Sequence, residues 1–222
     1  MAIVDFPPIE NADEHGLLAL GGDLEISSLL LAYSRGIFPW PINEEYPLAW
    51  FSPDPRGILE YSNLHLSSSF KKYLRSDTHY ATFNKDFDAV IRGCSTSSNR
   101  KDQVGTWITN DIINAYTRFF HSGHAYSVEV WNQAEELVGG LYGVVIGQYV
   151  SGESMFYMES NASKFALYSL MERLKENDIL WLDTQMVTPV VESMGGIELE
   201  RKKFVEKLQK SICQPSIPSL FT

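Results

Sequence analysis

Cysteine is scarce: Cys94 and Cys213 are the only two in 222 residues. That excludes a disulfide framework or a four-thiolate metal site and makes a reducing cytosol the simplest setting. Long hydrophobic runs are missing too. The longest lie near Leu29–Tyr33, Leu141–Ile146 and Ile179–Leu182, far short of the ~20 residues that span a bilayer, so no membrane association is expected. The start, Met1-Ala-Ile-Val-Asp-Phe-Pro-Pro, has no basic stretch followed by an apolar core, which predicts no secretory signal and a cytoplasmic protein. No Walker loop, G-x-G-x-x-G, H-E-x-x-H or G-x-S-x-G occurs. ATP-driven, dinucleotide, zinc-protease and hydrolase-elbow chemistries lose their usual support, and no cofactor is expected. His121-x-x-His124 lacks a third ligand close by and reads as the end of a helix rather than a metal site. Basic side chains are the minority, 18 against 28 acidic, for a net charge of −10. Phosphate contacts need Lys and Arg, so such a chain is not an obvious nucleic-acid binder.

What is present points to a folded α/β protein. Hydrophobic residues make up 44% and aromatics 13%, enough to bury a core. The charge is uneven: residues 1–55 carry −8, 56–118 +3, 119–200 −9 and 201–222 +4. Either two basic segments form a patch, or the surface is merely solvated. Residues 1–60 are rich in Pro, Gly and aromatics and read as a small N-terminal domain with one helix, Ser27–Arg35, stopped by Gly36. Its five prolines from Pro39 to Pro55 argue against further regular structure.

Residues 61–222 read as a mixed α/β domain with antiparallel strands leading into a crossover helix. Helices are expected at Ser68–Arg75, Lys85–Gly93 with Asn84 as cap, Asn110–Ser122 with Thr109 as cap, Ala162–Glu176 with Asn161 as cap, Val190–Met194 and Lys202–Lys210. Strands are expected at Tyr126–Trp131, Leu137–Ile146, Gln148–Ser151, Ile179–Asp183 and Ile197–Leu199. Gly139, Gly140 and Gly143 mark a bulge or a close backbone approach in the second of these strands. The tail from Ser211 reads as loose.

Three stretches could carry chemistry. In Ile179-Leu-Trp-Leu-Asp183-Thr-Gln185, alternation sends Asp183 and Gln185 to one face at the end of an apolar strand; the competing reading is a helix cap with a solvated glutamine. In Ser151-Gly-Glu153-Ser-Met155-Phe156, a carboxylate sits among small and apolar residues, where burial would demand a partner. The aromatic set around Phe38-Pro-Trp40, Trp50-Phe51 and Trp107 is ordinary core or, in part, a stacking surface for a base.

Together with Gly16-Leu-Leu-Ala-Leu-Gly-Gly-Asp23-Leu24, Arg35-Gly-Ile-Phe-Pro-Trp40, Ser52-Pro-Asp-Pro-Arg56, Thr106-Trp-Ile108, Leu137-Val-Gly-Gly-Leu-Tyr-Gly143 and Ala162-Ser-Lys164, these stretches resemble the leucyl/phenylalanyl-tRNA–protein transferases, in consistent order over roughly residues 16–208. The resemblance implies a small N-terminal domain joined to an acetyltransferase-like domain. It also implies transfer of Leu or Phe from aminoacyl-tRNA to proteins whose N-terminal residue is Arg or Lys, marking them for degradation. It gives the transfer step to Asp183 and Gln185. Trp40 and Trp107 would hold the aminoacyl-adenosine end, Met155 and Phe156 would line the aminoacyl pocket, and Glu153 would bond the donor's polar atoms. Lys71, Lys72, Arg75, Arg201, Lys202 and Lys203 match basic positions that would track the tRNA backbone.

The chain departs from the family pattern at Phe51, Tyr126, Tyr157, Met158, Thr188 and Val190. A monomer without cofactor is expected. Two other readings are a non-catalytic reader of cationic N-termini, opposed by the intact Asp183 and Gln185, and an acyl-CoA transferase, opposed by the missing pyrophosphate loop.

Overall fold

Apolar-rich segments from residue 125 onward build the long strands that frame the molecule, seen in a computed structural model that describes residues 2–42, 46–96 and 107–222. Thr106 of the Thr-Trp-Ile motif lies outside these. Strands β1 (Leu17–Leu20), β2 (Phe38–Pro39) and β3 (Ala49–Phe51) form a small antiparallel sheet in the order β1-β3-β2, with helix α1 (Ile26–Ser34) beside it. The proline-rich stretch is therefore more regular than its sequence suggests, because each strand is too short to need the hydrogen bonds that proline removes. Trp50 sits at its centre, edge-on to Phe6 and donating from Nε1 to the Gly21 carbonyl at 2.8 Å.

The second sheet has seven strands in the order β10-β4-β9-β8-β7-β6-β5: β4 (Arg56–Glu60), β5 (His79–Phe83), β6 (Ala125–Asn132), β7 (Leu137–Ile146), β8 (Tyr149–Tyr157), β9 (Trp181–Gln185) and β10 (Ile197–Leu199). All pairs are antiparallel except β8 and β9, which touch in parallel at the single position Ser151↔Asp183. This is a mixed sheet with helices packed against it, the α/β arrangement that the sequence patterns predict for residues 61–222.

Helices α2 (Ser68–Leu74), α3 (Phe87–Thr96), α4 (Asn110–His121), α5 (Ala162–Glu176), α6 (Pro189–Ser193) and α7 (Arg201–Ile212) complete the chain. Two apolar clusters form the core. One contains side chains from α1, α3, α4 and α7; the other contains the apolar stripe of α5, including Leu167, Leu170, Met171 and Leu174.

Local signals were right about most ends and wrong about some. Thr109 caps α4 through Oγ1. Asn161 does not cap α5 with its side chain and instead takes φ 68°, the left-handed conformation that asparagine tolerates. Asp86 rather than Asn84 accepts a first-turn amide of α3, from Ala89 at 3.0 Å. The tail is not loose. Leu220 and Phe221 are buried at 2% and 7% exposure, and Arg173 Nη1 donates to the Thr222 carbonyl at 2.9 Å. Among the described residues no helix is long and apolar enough to cross a membrane.

Candidate active site

Two β-bulges facing each other across β8 and β9 build the site. Between β7 and β8 the register steps from Tyr142↔Ser154 to Gly143↔Gly152, so Glu153 is the extra residue. Between β4 and β9 it steps from Ile58↔Asp183 to Gly57↔Gln185, so Thr184 is the extra residue. A bulge bends its strand and re-aims side chains. Here both do so at the same level of the sheet. Gln185 completes the turn with φ 61°, and only glycine fits opposite: a Cβ on Gly57 would lie 2.4 Å from the Met186 carbonyl carbon.

Asp183 is fully buried, and four donors saturate its carboxylate. Arg56 gives a two-pronged pair, Nε to Oδ1 at 2.9 Å and Nη2 to Oδ2 at 2.7 Å. The Tyr149 hydroxyl donates to Oδ2 at 2.6 Å and the Gln185 backbone N–H to Oδ1 at 2.8 Å. Arg56 is itself buried between the Phe38 and Phe204 rings, with Nη1 on the Gly36 carbonyl at 3.0 Å. Burial opposes its charge, but the Asp183 carboxylate outweighs that and holds the guanidinium above its ordinary value.

Gln185, 6% exposed, donates from Nε2 to Glu153 Oε2 at 2.8 Å. No hydrogen bond to Gln185 Oε1 is found among the described residues. Glu153 Oε1 accepts from Ser151 Oγ at 2.7 Å, and the Tyr33 hydroxyl also bonds this carboxylate. Burial pushes the Glu153 carboxyl up, against the opposing pull of these donors. Tyr33 and Tyr116 share a hydroxyl–hydroxyl contact. Burial first and the Glu153 charge next push both well above the ordinary tyrosine range, so they stay protonated donors.

An aromatic cleft of about 360 Å³ adjoins Gln185 through Met186, and Phe38, Trp40 and Phe51 supply its rings. Trp107 lies against Trp40, centroids 6.2 Å apart at 50°. The structure thus brings Trp40 and Trp107 together, and Asp183, Gln185 and Glu153 together.

It separates Met155 from Phe156. Phe156 packs in the α3 cluster, where its ring is what a Cβ on Gly93 would strike, and Met155 packs in the α5 cluster on the opposite side. The basic residues also divide. Lys71, Lys72, Arg75, Lys202 and Lys203 are exposed. Arg201 is 13% exposed and turned inward: Nη1 donates to the Ser52 carbonyl at 2.6 Å, and its backbone N–H to Asp54 Oδ1 at 3.0 Å.

Sequence reasoning gave no role to Arg56, Tyr149, Tyr33 or Tyr116, although Arg56 closes the stretch Ser52-Pro-Asp-Pro-Arg56. Arg56 had a signal, a charged residue at the head of the apolar run Gly-Ile-Leu, where burial demands a counter-ion. No cluster of three or more His, Cys, Asp or Glu side chains able to hold a metal exists among the described residues.

Comparison with known proteins identifies the family. The family described as leucyl/phenylalanyl-tRNA protein transferase matches residues 58–209, and the family of its N-terminal domain matches residues 22–54. Three relatives carry the name leucyl/phenylalanyl-tRNA–protein transferase. That of Pseudoalteromonas atlantica is 44% identical over 218 residues, 97% of this chain and 92% of its own. That of Shewanella oneidensis is 46% identical over 202 residues, 91% and 84% of the two chains. That of Pseudomonas fluorescens is 44% identical over 213 residues, 95% and 92%. The chain therefore belongs to the leucyl/phenylalanyl-tRNA protein transferase family.

Proposed function

We propose that this enzyme, acting as a cytoplasmic monomer, moves leucine or phenylalanine from aminoacyl-tRNA onto the α-amine of proteins that begin with Arg or Lys. One observation carries the reading: a buried glutamine amide is pinned by its nitrogen to Glu153, no hydrogen bond to its Oε1 is found among the described residues, and the next residue, Met186, lines an aromatic cleft. The reaction forms a C–N bond and breaks the ester C–O bond, and the amine proton ends on the ribose hydroxyl. It needs no outside energy source, since the ester is already activated. Holding amine and ester together replaces much of the barrier, with effective molarities of ~10⁵–10⁸ M.

The amine must be neutral, and an α-ammonium has a pKa of about 7.7–8.0. Gln185 Oε1 accepts one amine hydrogen and steadies the positive charge that grows on nitrogen. Asp183, neutralised by Arg56, acts by holding the Gln185 backbone rather than by taking a proton. Trp40 and Trp107 stack the terminal adenosine. Phe156 is the member of the Met155–Phe156 pair that we retain near the aminoacyl side chain, because it packs in the same apolar cluster as Tyr33 and Tyr116.

Incubation with radiolabelled Leu-, Phe-, Met- and Arg-tRNA and peptides beginning with Arg, Lys, Asp or Glu tests this directly. Label from Leu- or Phe-tRNA on the Arg and Lys peptides is expected; label on none would end the transferase reading.

Lys71, Lys72, Arg75, Lys202 and Lys203 are proposed to track the tRNA backbone, and Arg201 to brace the Ser52–Asp54 loop. Reversing Lys71 and Lys72 to Glu is expected to weaken tRNA binding and to lower its salt slope by about 2, roughly one for each phosphate that is no longer neutralised. Titration at several salt concentrations reads both, and an unchanged slope would leave these lysines as solvated surface.

A further inference from the structure

The site is supported from behind by a residue on the reverse side of the sheet. Tyr126 belongs to the apolar cluster on the α5 side, opposite the cluster that holds Tyr33, Tyr116 and Tyr149, and is fully buried. Its hydroxyl donates to the Ser151 carbonyl at 2.9 Å, two residues before the bulged Glu153. Ser151 Oγ in turn donates to Glu153 Oε1, and Glu153 Oε2 accepts from Gln185 Nε2. The space behind the bulge is filled: a Cβ on Gly143 would lie 1.9 Å from the Ser151 carbonyl oxygen and 2.6 Å from the Tyr126 hydroxyl. Tyr126 is fixed by the last turn of the chain. The Phe221 ring stacks on it at 4.2 Å and 5°, and Arg173, lying over Phe83, donates to the Leu220 and Thr222 carbonyls.

We infer that Tyr126 is a positioning residue for transfer and that Phe221 is its clamp: the stack sets the Tyr126 hydroxyl, which fixes the Ser151–Glu153 bulge and through it the Gln185 amide. This rests on the functional reading above but makes a claim of its own. The 217–222 turn is a support of the site rather than a covering for an apolar face. The chain of contacts runs Phe221, Tyr126, Ser151, Glu153, Gln185, and each link is a ring stack, a hydrogen bond or a backbone step in the same strand. A small displacement at its end matters, since misplacing a reacting group by about 1 Å can cost on the order of 10²-fold in rate.

Tyr126→Phe removes the hydroxyl and leaves the ring under Phe221. It is expected to lower kcat about tenfold with KM for aminoacyl-tRNA unchanged, because a contact far from the donor alters geometry and not donor binding. Phe221→Ala is expected to do the same, and Phe221→Trp to restore most of the loss by rebuilding the stack. Leu174→Ala, in the same apolar cluster but outside the contact chain, serves as control: it should lower Tm at least as far as Phe221→Ala while keeping kcat.

A second readout needs no turnover. The Gln185 side-chain amide protons, donors to Glu153, should shift by NMR in Tyr126→Phe and in Phe221→Ala, and stand near their native position in Phe221→Trp. Native kcat in Tyr126→Phe, parallel changes in kcat and KM, an equal kcat loss in Leu174→Ala, or an unmoved Gln185 amide would each overturn the inference. A wild-type protein that transfers nothing, with the Gln185 amide still shifted in Tyr126→Phe, would count against the functional reading and leave the coupling standing.

Discussion

Replacing Arg56 by alanine is expected to destabilise the protein by about 3–5 kcal/mol, the usual cost of leaving one member of a buried ion pair without its partner. Both side chains lie out of water, at 1% and 0% exposure. Deleting the guanidinium removes two bonds from Asp183 and one from the Gly36 carbonyl, and leaves a void between the Phe38 and Phe204 rings. Against a total stability of roughly 5–15 kcal/mol this is a large fraction. Urea unfolding followed by tryptophan fluorescence measures it.

Arg56→Lys keeps the charge but not the planar fork, and should recover only part of the loss. The paired change Arg56→Met with Asp183→Leu separates stability from function. Two apolar side chains of similar volume can replace a buried pair at little cost, so folding should return. Transfer should not, because the Gln185 N–H loses its Asp183 acceptor. An unfolding midpoint unmoved by Arg56→Ala would contradict the buried pair.

How much of this was legible in the sequence follows from the range of each signal. Local signals read well: the apolar stripe of Ala162–Glu176 and the apolar run Leu137–Ile146, broken at Gly147, give those elements their observed ends. The glycines of β7 announced a close approach, and Gly143 supplies it against Ser151 and Tyr126. Long-range partners were not legible. Arg56 and Asp183 are 127 residues apart, and nothing near either one names the other.

The bulges were hidden for a different reason. Strict alternation puts Asp183 and Gln185 on one face, and both are indeed buried on the site side. Yet Gln185 reaches Glu153 only because Thr184 is an extra residue and Gln185 turns through a positive φ. A period of two cannot reveal where it is broken. The strand carrying Glu153 also extends to Tyr157, well beyond the Ser151 end expected from its sequence, since glycine and serine in Ser-Gly-Glu-Ser read as a turn until the neighbouring strands supply their hydrogen bonds. The tail misled because proline and serine mark local flexibility, while Leu220 and Phe221 are buried by residues far away in sequence.

Gln185→Ala should lower kcat by about 10²–10⁴-fold, the range typical of a group that assists proton movement in the transition state, with donor binding little changed. The amide itself is not a base, so its orientation decides what it can do. Ionised Glu153 holds Nε2 with a charge-assisted bond, roughly twice as strong as a neutral one, and so fixes which way the amide faces. That gives Glu153 a measurable signature. Burial raises its carboxyl above the ordinary 4.5, so the proton returns at a higher pH than for an exposed glutamate and the hold on Nε2 weakens with it.

Glu153→Gln, neutral throughout, should transfer more slowly than wild type at pH 7 to 8. The ratio of the two rates should shrink as pH falls through the folded value of Glu153, while the common effect of acceptor amine protonation cancels. A ratio that stays constant down to the ordinary carboxylate range would refute the role.

Stability should move the other way. With the folded value raised, protonated Glu153 favours the fold, so its contribution is fully present below 4.5 and is lost as pH climbs through the folded value. At neutral pH Glu153→Gln should therefore unfold at a higher temperature than wild type while working less well. Such a pair of opposite shifts is expected where a strained charge is kept for function, and it would separate Glu153 from residues of the same cluster that serve only to hold the fold.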